Sequence, residues 1–374
     1  MNYAQLTRKV LVISVRADYG GGPRHLELLL KHLPADIQAF VACPDEPPFR
    51  ERFESLVGGR VFTLPHRRFD LSFARRLARW AGDQGVDLLH AHGKGAGVYA
   101  RMAAAILRTP CVHTPHGVHV ESYSPLKRRL YRAYENLTAR WVDHLIFVSD
   151  EERAAAQAAG LWPRTPHSVI VNGVEAVADA QRARWRHESR QRLGVDEARP
   201  VIMTLSRFDY QKNMLEALEV AKRLPEALFA WIGEGDESAL LARRARDERI
   251  ANVRFLGKSD APLPWLAAAD AYLSTSRWEG LPLAVLEAMS LGLAVVASDV
   301  VGQRELLGEG AGRLYPLGDP AAAADALRAL LRDSALRRQM GERARRIQRE
   351  RYSVEGMAEA TAAVYRRVME AEDR

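Results

Sequence analysis

The feature that most constrains the fold is a regular alternation of short apolar β-type runs with helix-type segments. The intervening segments carry apolar residues at three- and four-residue spacing, as in Arg24–His32, Phe73–Gly82 and Val98–Leu107. Strands that alternate with helices predict βαβ units and a parallel sheet. The predicted strands of the first half are Val10–Val15, Ile37–Ala42, Arg60–Leu64, Asp87–Ala91, Pro110–His113, His144–Val148 and Ser168–Val171.

The alternation lapses after Val174 and then restarts. A polar, arginine-rich stretch runs to Arg199, with one predicted helix at Trp185–Leu193, and the tail Ala321–Arg374 has a helical pattern. At 374 residues the chain exceeds the size at which one core keeps growing, so a second α/β domain is predicted. Its predicted strands are Val201–Leu205, Leu228–Ile232, Val253–Leu256, Ala271–Thr275 and Ala294–Ser298.

Net charge and cysteine content indicate which binding partners and which cellular compartment suit the protein. The net charge of +7 and the isoelectric point near 9.5 suit acidic partners such as nucleotide diphosphates or anionic lipid headgroups. No nucleic-acid-binding motif is present. Cys43 and Cys111 have no metal-like spacing, which argues against a disulfide framework or a zinc site. Because Met1–Lys9 lacks a signal-peptide core and no apolar run could span a bilayer, a cytoplasmic, soluble or peripheral protein is expected.

Open α/β sheets bind ligands at the carboxyl ends of their strands, so a site is expected in the loops after the predicted strands. The first strand is followed by Gly20-Gly21-Gly22 and then by a predicted helix. Glycines let the backbone approach an anion closely, and a helix N-terminus offers free N–H groups. A plain tight turn has the same composition, and it is the position after the first strand that favours binding.

The first strand of the second half ends in a segment with two cations. Arg207 would lie at the strand tip and Lys212 at the start of the next helix. Surface cations are common, but this pair meets a helix dipole that favours negative charge. A diphosphate is therefore the predicted ligand.

Histidines follow two neighbouring strands of the first half. The segment from His90 to Gly93 follows the fourth strand, and the segment from His113 to Gly117 follows the fifth. Histidines on one face can bind a metal, but no carboxylate stands near them in sequence. We expect His116 to hydrogen-bond a polar substrate and the others to have structural or supporting roles, with no metal.

Two carboxylates interrupt an otherwise apolar segment near the end of the second half. Glu279 closes a predicted strand and its exit loop, while Glu287 lies within an apolar helix-type run. A buried carboxylate without a partner is costly, so a polar ligand is expected. Pro282 fits the first helical turn, and Leu281–Ala284 would then offer N–H groups to phosphate or sugar oxygens. The alternative is a helix-capping Glu279 with a salt-bridged Glu287.

With these motifs the chain resembles the retaining glycosyltransferases of family 4, and the resemblance covers nearly the whole chain. Its most specific element is the Glu279 and Glu287 pair, with seven residues between them. The other matching elements are Gly20-Gly21-Gly22, His116-Gly117, Val148-Ser149, Val171-Asn172-Gly173-Val174, Arg207 to Lys212, Gly233-Glu234-Gly235, Phe255-Leu256-Gly257 and Arg351-Tyr352-Ser353-Val354-Glu355.

The resemblance implies an α/β GT-B fold, with two Rossmann-like parallel-sheet domains facing a cleft. The expected division is an N-terminal acceptor domain over 1–180 and a C-terminal nucleotide-sugar donor domain over 181–350. A final helix over 351–374 is expected to pack back on the N-terminal domain.

Site roles follow from the same resemblance. Arg207 and Lys212 would bind the donor diphosphate, and Glu287 the ribose of the nucleotide. Glu279 would contact the transferred sugar, with the neighbouring Leu281–Ala284 segment beside it.

From the first domain, His116 is implied to hydrogen-bond the sugar, and Gly21 and Gly22 to lie by the phosphates. The departures from the family pattern are Ser206 and Asn213, each at a position where glycine is frequent. The donor-binding set implied beside Glu279 includes Leu281, Pro282 and Leu283.

The predicted reaction is transfer of a sugar from a nucleotide-sugar, by default a uridine donor with guanosine left open, to a hydroxyl of the acceptor. The anomeric configuration would be retained and no metal or other cofactor required. The expected acceptor is a glycan or a polyprenyl- or other lipid-linked sugar of cell-surface polysaccharide, such as lipopolysaccharide, O-antigen or exopolysaccharide. Alternatives are a nucleotide-sugar epimerase or a phosphorylase of the same fold, and a non-catalytic sugar-binding subunit.

A basic segment, Lys127 to Trp141, is a candidate for contact with a membrane that carries the acceptor. Leu130, Tyr134, Leu137 and Trp141 lie on one helical stripe, with most of the cations elsewhere. Basic amphipathic helices with aromatic residues can lie on anionic membranes, here the cytoplasmic face of an inner membrane. The same stripe could equally pack on the sheet and leave the arginines in water.

Overall fold

A computed structural model describes residues 7–66, 70–118 and 123–372, and the chain divides into two compact units. The first unit comprises Met1–Asn172 together with Val354–Arg374, and the second comprises Gly173–Ser353. The chain therefore leaves the first unit eight residues before the boundary predicted at 180, and it returns at Val354. Residues 1–6, which make up most of the segment predicted to lack a signal-peptide core, lie outside the described residues.

The first unit is built on a seven-stranded parallel sheet with the order β3-β2-β1-β4-β5-β6-β7. All seven strands coincide with predicted runs to within two residues at either end. They are β1 (Arg8–Ser14), β2 (Ile37–Cys43), β3 (Val61–Thr63), β4 (Leu88–His92), β5 (Cys111–Thr114), β6 (His144–Phe147) and β7 (His167–Val169).

Helices connect the strands of this sheet, and side-chain caps fix the first residue of two of them. In α3 the Asp70 carboxylate accepts from the N–H groups of Ser72 and Phe73, and in α6 the Ser149 hydroxyl accepts from that of Glu152. Such caps satisfy N–H groups that have no acceptor within the helix. The helices are α1 (Gly21–His32), α2 (Phe49–Leu56), α3 (Leu71–Gln84), α4 (Lys94–Leu107), α5 (Pro125–Thr138) and α6 (Asp150–Ala158), and a 3₁₀ turn at Ala139–Trp141 follows α5.

The core of the first unit includes the inner strand β1. Val10, Leu11, Val12 and Ile13 are all fully buried. A strand with helices on both faces of its sheet is apolar at successive positions rather than at alternate ones. This pattern made the first sheet predictable from short apolar runs.

The second unit has a six-stranded parallel sheet with the order β10-β9-β8-β11-β12-β13. Five strands were predicted, and β13 was not. It is an edge strand in which Arg313 is exposed and Leu314 only half-buried, so it carries no apolar run. The strands are β8 (Val201–Leu205), β9 (Leu228–Ile232), β10 (Val253–Gly257), β11 (Ala271–Ser274), β12 (Ala294–Ser298) and β13 (Gly312–Tyr315).

The helices of the second unit include one that starts earlier than predicted. Helix α7 begins at Asp179 and not at the predicted Trp185. Its first turns are polar, so they show no apolar pattern that would predict a helix. These turns are held by Arg182 and Arg186, which donate to the carbonyls of Leu291 and Ala269. The helices are α7 (Asp179–Leu193), α8 (Met214–Lys222), α9 (Ser238–Asp247), α10 (Pro262–Leu266), α11 (Leu283–Ser290), α12 (Val301–Leu307), α13 (Pro320–Arg332) and α14 (Ser334–Arg351).

The last helix, α15 (Val354–Glu372), belongs to the first unit and packs against α1. The Arg366 guanidinium forms a two-point ion pair with Asp36, and the buried Tyr365 hydroxyl lies 2.6 Å from His90 Nδ1. Over the described residues, no helix has both the length and the apolar character needed to cross a membrane.

Candidate active site

The loop between β8 and α8 carries Arg207 and Lys212. Lys212 lies two residues before α8 and not at its start, which corrects the predicted position. The reason is Asn213, the N-cap, whose φ of 52° lies in the left-handed region and turns the chain before the helix begins. Glycine enters this region without strain, and asparagine is among the few other residues that do so readily. The departure from glycine at Asn213 is therefore compatible with the backbone.

Lys212 forms an ion pair with Glu279 at the edge of the sheet where β8 and β11 end. Lys212 Nζ lies 2.5 Å from Glu279 Oε1, and the Ser276 hydroxyl donates to the same oxygen at 2.5 Å. Both charged side chains are largely buried, that of Glu279 to 7 % exposure. The structure thus brings together a predicted phosphate ligand and the carboxylate predicted to stand beside the chemistry.

Arg207 takes a different set of partners. Its guanidinium pairs with Asp209 Oδ2 at 3.0 Å and donates to Gln211 Oε1 at 3.3 Å. The side chain is 38 % exposed, so its charged head is accessible. Its exposure fits a role as a ligand for an anion.

Helix α11 positions the second carboxylate. It begins at Leu283 with Pro282 as N-cap, so Pro282 precedes the first turn rather than lying in it. No side chain caps this helix, and the alternative of a helix-capping Glu279 is wrong. The N–H groups at its start have no acceptor within the helix. Glu287 lies one turn further on and is 3 % exposed, with Leu281 and Leu283 also buried.

The buried Tyr272 of β11 shows that the two carboxylates share one neighbourhood. Burial raises the pKa of Tyr272, and the negative charges of Glu279 and Glu287 raise it further. Charges act on a buried group in this way only at short range. Glu279, which pairs with Lys212, and Glu287 therefore both act on the same buried tyrosine of the second unit.

The loop that carries Glu279 is held by residues that the sequence did not single out. A Cβ atom on Gly302 would lie 1.8 Å from the carbonyl oxygen of Gly280, so α12 approaches this loop as closely as only glycine allows. The Ser298 hydroxyl donates to the carbonyl of Ser276 at 2.5 Å. No local pattern marks these residues, because each acts on a backbone segment distant in sequence.

In the first unit, three histidines from separate elements converge. His25 lies on α1, His92 at the end of β4 and His116 in the loop after β5. His92 Nδ1 and His116 Nε2 are 2.9 Å apart, a hydrogen bond in which one ring donates to the other. The structure brings His92 and His116 together, and His25 is an addition that sequence reasoning missed because it lies on a helix.

Burial keeps these rings neutral. It lowers the pKa of His25 to about 4 and holds the pKa values of His92 and His116 well below the usual 6.5. The neighbouring His90 has two partners, Tyr365 and the Thr114 hydroxyl, which fits the structural role predicted for it.

The loop of His116 is fixed by a buried carboxylate. Glu152 on α6 accepts from the backbone N–H of Gly117 and from that of Val148 at 2.8 Å. Burial raises the pKa of Glu152. His116 itself has a φ of 55°, a left-handed conformation that these bonds help to maintain.

The glycine turn after β1 has open space beside Gly21 and Gly22. Gly20 is the N-cap of α1, and Gly21 and Gly22 form its first residues. A Cβ atom added at Gly21 or Gly22 would meet no atom within 4 Å. Packing therefore does not require glycine at these two positions.

Another surface of the first unit is the exposed stripe of α5. Leu126, Leu130 and Leu137 are 68 %, 62 % and 65 % exposed, and Tyr134 is 38 % exposed. The alternative in which the predicted stripe packs on the sheet is wrong for Leu130, Tyr134 and Leu137, although Trp141 does pack against the core.

What anchors α5 is a polar contact on the opposite side. Glu135 is its one buried residue, and its carboxylate accepts from Arg101 at 2.6 Å and from the Trp162 indole at 3.0 Å. A polar attachment of this kind leaves the apolar stripe free of packing partners in the sheet.

The architecture of the chain is found in a solved protein structure. The structure of Anabaena Alr3699/HepE, solved in complex with UDP and glucose, matches it with a TM-score of 0.83 at 22 % identity, over 96 % of this chain and 99 % of that one. The fold is accordingly GT-B.

Sequence comparisons give the family. Residues 19–177 match the model of glycosyltransferase family 4, and residues 186–347 match that of the glycosyl transferases group 1. The chain is 30 % identical over 282 residues to UDP-Gal:alpha-D-GlcNAc-diphosphoundecaprenol alpha-1,3-galactosyltransferase of Escherichia coli, covering 71 % of this chain and 72 % of that protein. It is also 30 % identical to phosphatidyl-myo-inositol mannosyltransferase of Mycobacterium tuberculosis, over 75 % of each chain. The chain belongs to glycosyltransferase family 4.

Proposed function

We propose that this glycosyltransferase moves a sugar from a uridine nucleotide-sugar to a hydroxyl of a lipid-linked or glycan acceptor, with retention of the anomeric configuration. The observation that carries the proposal is the buried Lys212 and Glu279 pair beside the N-terminus of α11. The E. coli relative is named for UDP-Gal and an undecaprenol-linked acceptor, and the M. tuberculosis relative for a phosphatidylinositol lipid. These names favour a role in the biosynthesis of surface polysaccharide or glycolipid.

Departure of the nucleoside diphosphate builds negative charge on phosphate oxygens. Lys212, Arg207 and the N–H groups at the start of α11 would stabilise that charge as it forms. Because fixed cations and helix N–H groups supply the compensation, no metal is required in this scheme. Glu287, buried one turn into α11, would accept hydrogen bonds from the ribose hydroxyls.

Retention would follow from attack on the same face as departure. The bond between the anomeric carbon and the diphosphate oxygen breaks as a bond from the acceptor oxygen forms, and the acceptor proton passes to the departing phosphate. Glu279 is held by Lys212 and Ser276, which favours a fixed contact to the transferred sugar over service as a free nucleophile. In the first unit, the proposed hydrogen-bonding partner of the sugar is His116, and Gly21 and Gly22 are proposed to lie beside the phosphates.

The decisive experiment measures transfer from a panel of nucleotide-sugars in variants of the pair. Lys212→Ala and Glu279→Ala should each abolish transfer while the circular dichroism spectrum is unchanged. Lys222→Ala is the matched control, because Lys222 lies on α8 of the same unit but pairs with Glu219 and Glu248 at the surface. Wild-type rates in both pair variants would overturn the assignment.

Two further measurements address the finer claims. The coupling constant of the anomeric proton in the product reports its configuration, and an inverted product would contradict the retaining scheme. Unchanged rates after treatment with EDTA are expected, and loss of activity that added Mg²⁺ or Mn²⁺ restores would contradict the proposal of metal independence.

The other reactions of this fold are separated by their products. An epimerase would convert the donor without any acceptor, and a phosphorylase would consume or release inorganic phosphate and a sugar phosphate. A non-catalytic subunit would raise its melting temperature with donor, because a ligand of the native state stabilises it, yet would turn over none.

We further propose that α5 places the protein on an anionic membrane surface where a lipid-linked acceptor is met. Leu126, Leu130 and Leu137 form an exposed apolar stripe, and Lys127 and Arg129 are exposed on either side of it. Apolar residues flanked by cations suit the boundary between headgroups and acyl chains. Arg67 and Arg68, which add charge in the sequence, lie outside the described residues.

Liposome sedimentation tests this surface. Binding to vesicles with anionic lipid should fall in Lys127→Gln/Arg129→Gln and in Leu130→Gln/Leu137→Gln. It should persist in Arg338→Gln/Arg346→Gln, which removes the same charge from exposed positions on α14. Equal binding by all four proteins would count against α5 as the membrane surface.

A further inference from the structure

We propose that His25, His92 and His116 form a binding site for a transition-metal ion such as Zn²⁺, and that the ion inhibits transfer by occupying His116. Metal binding stands on the geometry of the first unit alone. Only the inhibitory effect rests on the proposed function, in which His116 contacts the sugar.

The three rings are spaced as a tetrahedral ion requires. Ring centroids are 4.7 Å apart for His25 and His116, 5.2 Å for His92 and His116, and 5.3 Å for His25 and His92. With metal–nitrogen bonds of about 2.0–2.1 Å, imidazole centres around a tetrahedral ion lie roughly 5 Å apart. The observed triangle is thus close to that of a three-histidine site.

The nitrogen atoms are close enough to converge on one ion. Each histidine offers a ring nitrogen, and the three lie within 4.8 Å of one another. His92 Nδ1 and His116 Nε2 are 2.9 Å apart, somewhat less than the roughly 3.4 Å between two ligands of a tetrahedral ion. A small opening of this hydrogen-bonded pair would admit the metal.

Two nitrogens of the cluster have no hydrogen-bond partner among the described residues. They are His25 Nδ1 and His92 Nε2, and both atoms are buried. A buried polar atom without a partner costs free energy. Coordination through His25 Nδ1 would remove that cost for His25, while His92 would bind through the Nδ1 that faces His116. The residues themselves are more than nine-tenths buried, so this is a built site and not a chance meeting of surface side chains.

Ligand type indicates which ions fit. Imidazole nitrogen suits Zn²⁺, Cu²⁺, Ni²⁺ and Co²⁺, whereas Mg²⁺ and Ca²⁺ prefer oxygen ligands, which this cluster does not contain. Three protein ligands leave a fourth position for water, and the half-buried His116 provides access from solvent.

Cobalt provides a readout that is independent of activity. Titration of Co²⁺ into the EDTA-treated full chain should give the strong visible absorption of tetrahedral coordination, saturating at one ion per chain and lost on addition of Zn²⁺. In His25→Ala and in His92→Ala the affinity should fall by at least about 10- to 100-fold, since even the loss of supporting contacts around a metal has that effect.

The control variant is His187→Ala, which removes an exposed histidine of α7 and should leave the titration unchanged. Because a buried alanine could disturb the fold, His25→Gln is measured in parallel, with circular dichroism for every variant. The site is overturned if the wild type gives no tetrahedral spectrum, or if the His25 and His92 variants keep it.

Inhibition is measured as the ratio of transfer rates with and without Zn²⁺ for each protein. The wild type should be inhibited and EDTA should restore it, while His25→Gln should keep the same rate in both conditions. Zn²⁺ binding without inhibition, or activity that requires Zn²⁺, would overturn the inhibitory role. A chain without any transferase activity would refute the proposed function and leave the cobalt result to decide the site.

Discussion

Lys212 Nζ and Glu279 Oε1 lie 2.5 Å apart although the two residues are separated by 67 positions in the sequence. They follow β8 and β11, which are neighbours in the sheet of the second unit. Parallel strands bring their carboxyl ends to one edge, so residues far apart in sequence meet there. This edge also holds the N-terminus of α11, where an anion would be favoured.

A double-mutant cycle separates the structural from the chemical role of this pair. Lys212→Ala should destabilise the second unit by about 1–3 kcal/mol, because the buried Glu279 loses its cation. Lys212→Ala/Glu279→Ala should cost less than the sum of the two single changes, and all three variants should lack transfer. Urea unfolding followed by the fluorescence of the buried Trp231 measures the free energies. Strict additivity would show that the pair is not coupled.

Asn213 provides a test of backbone strain beside the same pair. Its left-handed conformation favours glycine, but its amide donates to Glu216 at 2.6 Å and its carbonyl accepts from Arg277 at 2.8 Å. Asn213→Ala loses both bonds and keeps the strain, so it should be less stable than Asn213→Gly by about 1 kcal/mol. Both should be less stable than the wild type.

The control for that comparison is Arg249, an exposed residue with a φ of 54°. Arg249→Gly should stabilise the chain by about 0.5–1 kcal/mol, since it relieves the strain and loses no buried hydrogen bond. A wild-type Asn213 less stable than Asn213→Gly would mean that the side-chain bonds contribute little.

Gly302 is expected to be essential although it offers no functional group. A Cβ atom there would lie 1.8 Å from the Gly280 carbonyl oxygen and 3.1 Å from that of Glu279, so Gly302→Ala must displace the loop that carries the carboxylate. Transfer should fall about 100-fold, because a shift of about 1 Å in a positioned group can have that effect. Val301→Ala, at an exposed neighbouring position, should keep full activity.

Much of the fold follows from sequence for a physical reason. Strands buried on both faces, such as β1, are continuous apolar runs, which makes them easy to predict. Twelve of the thirteen strands in the described residues coincide with predicted strands. The edge strand β13 and the first turns of α7 escaped prediction because each is stabilised by backbone pairing or by arginine contacts rather than by apolar burial.

Some residues of the candidate site could likewise be predicted from sequence, and others could not. Residues at strand ends, such as Lys212 and His116, could be singled out because topology predicts where ligands bind. His25 and Gly302 could not, since their roles arise from packing between elements distant in sequence. Local patterns contain no information about such contacts.

The first unit is expected to lose stability in mild acid. Burial lowers the pKa of His113 to about 3, so the folded state keeps this ring neutral while the unfolded chain takes up a proton below about pH 6.5. Stability is therefore full above pH 6.5 and falls as the pH drops toward 3, by about 1.4 kcal/mol per pH unit for this group. The buried His25, with its pKa near 4, acts in the same direction.

Urea unfolding at pH 7.5 and 5.0, followed by the fluorescence of the buried Trp162, measures this loss. In His113→Gln the difference between the two pH values should be smaller by about 2 kcal/mol, whatever the stability of the variant at pH 7.5. His167→Gln, at an exposed position, should leave the difference unchanged. Equal differences in wild type and His113→Gln would show that His113 is not held neutral by burial.

Gly22 should show opposite effects on stability and on donor binding. A Cβ atom at this position of α1 meets nothing within 4 Å, and alanine is a better helix former than glycine, so Gly22→Ala should stabilise the first unit by about 0.5–1 kcal/mol. If the turn approaches the donor phosphates, the same methyl group should raise the KM for donor, because glycine alone lets the backbone come close to an anion. Thermal melting and steady-state kinetics measure the two quantities. A variant with a higher melting temperature and an unchanged KM would show that the turn has no part in donor binding.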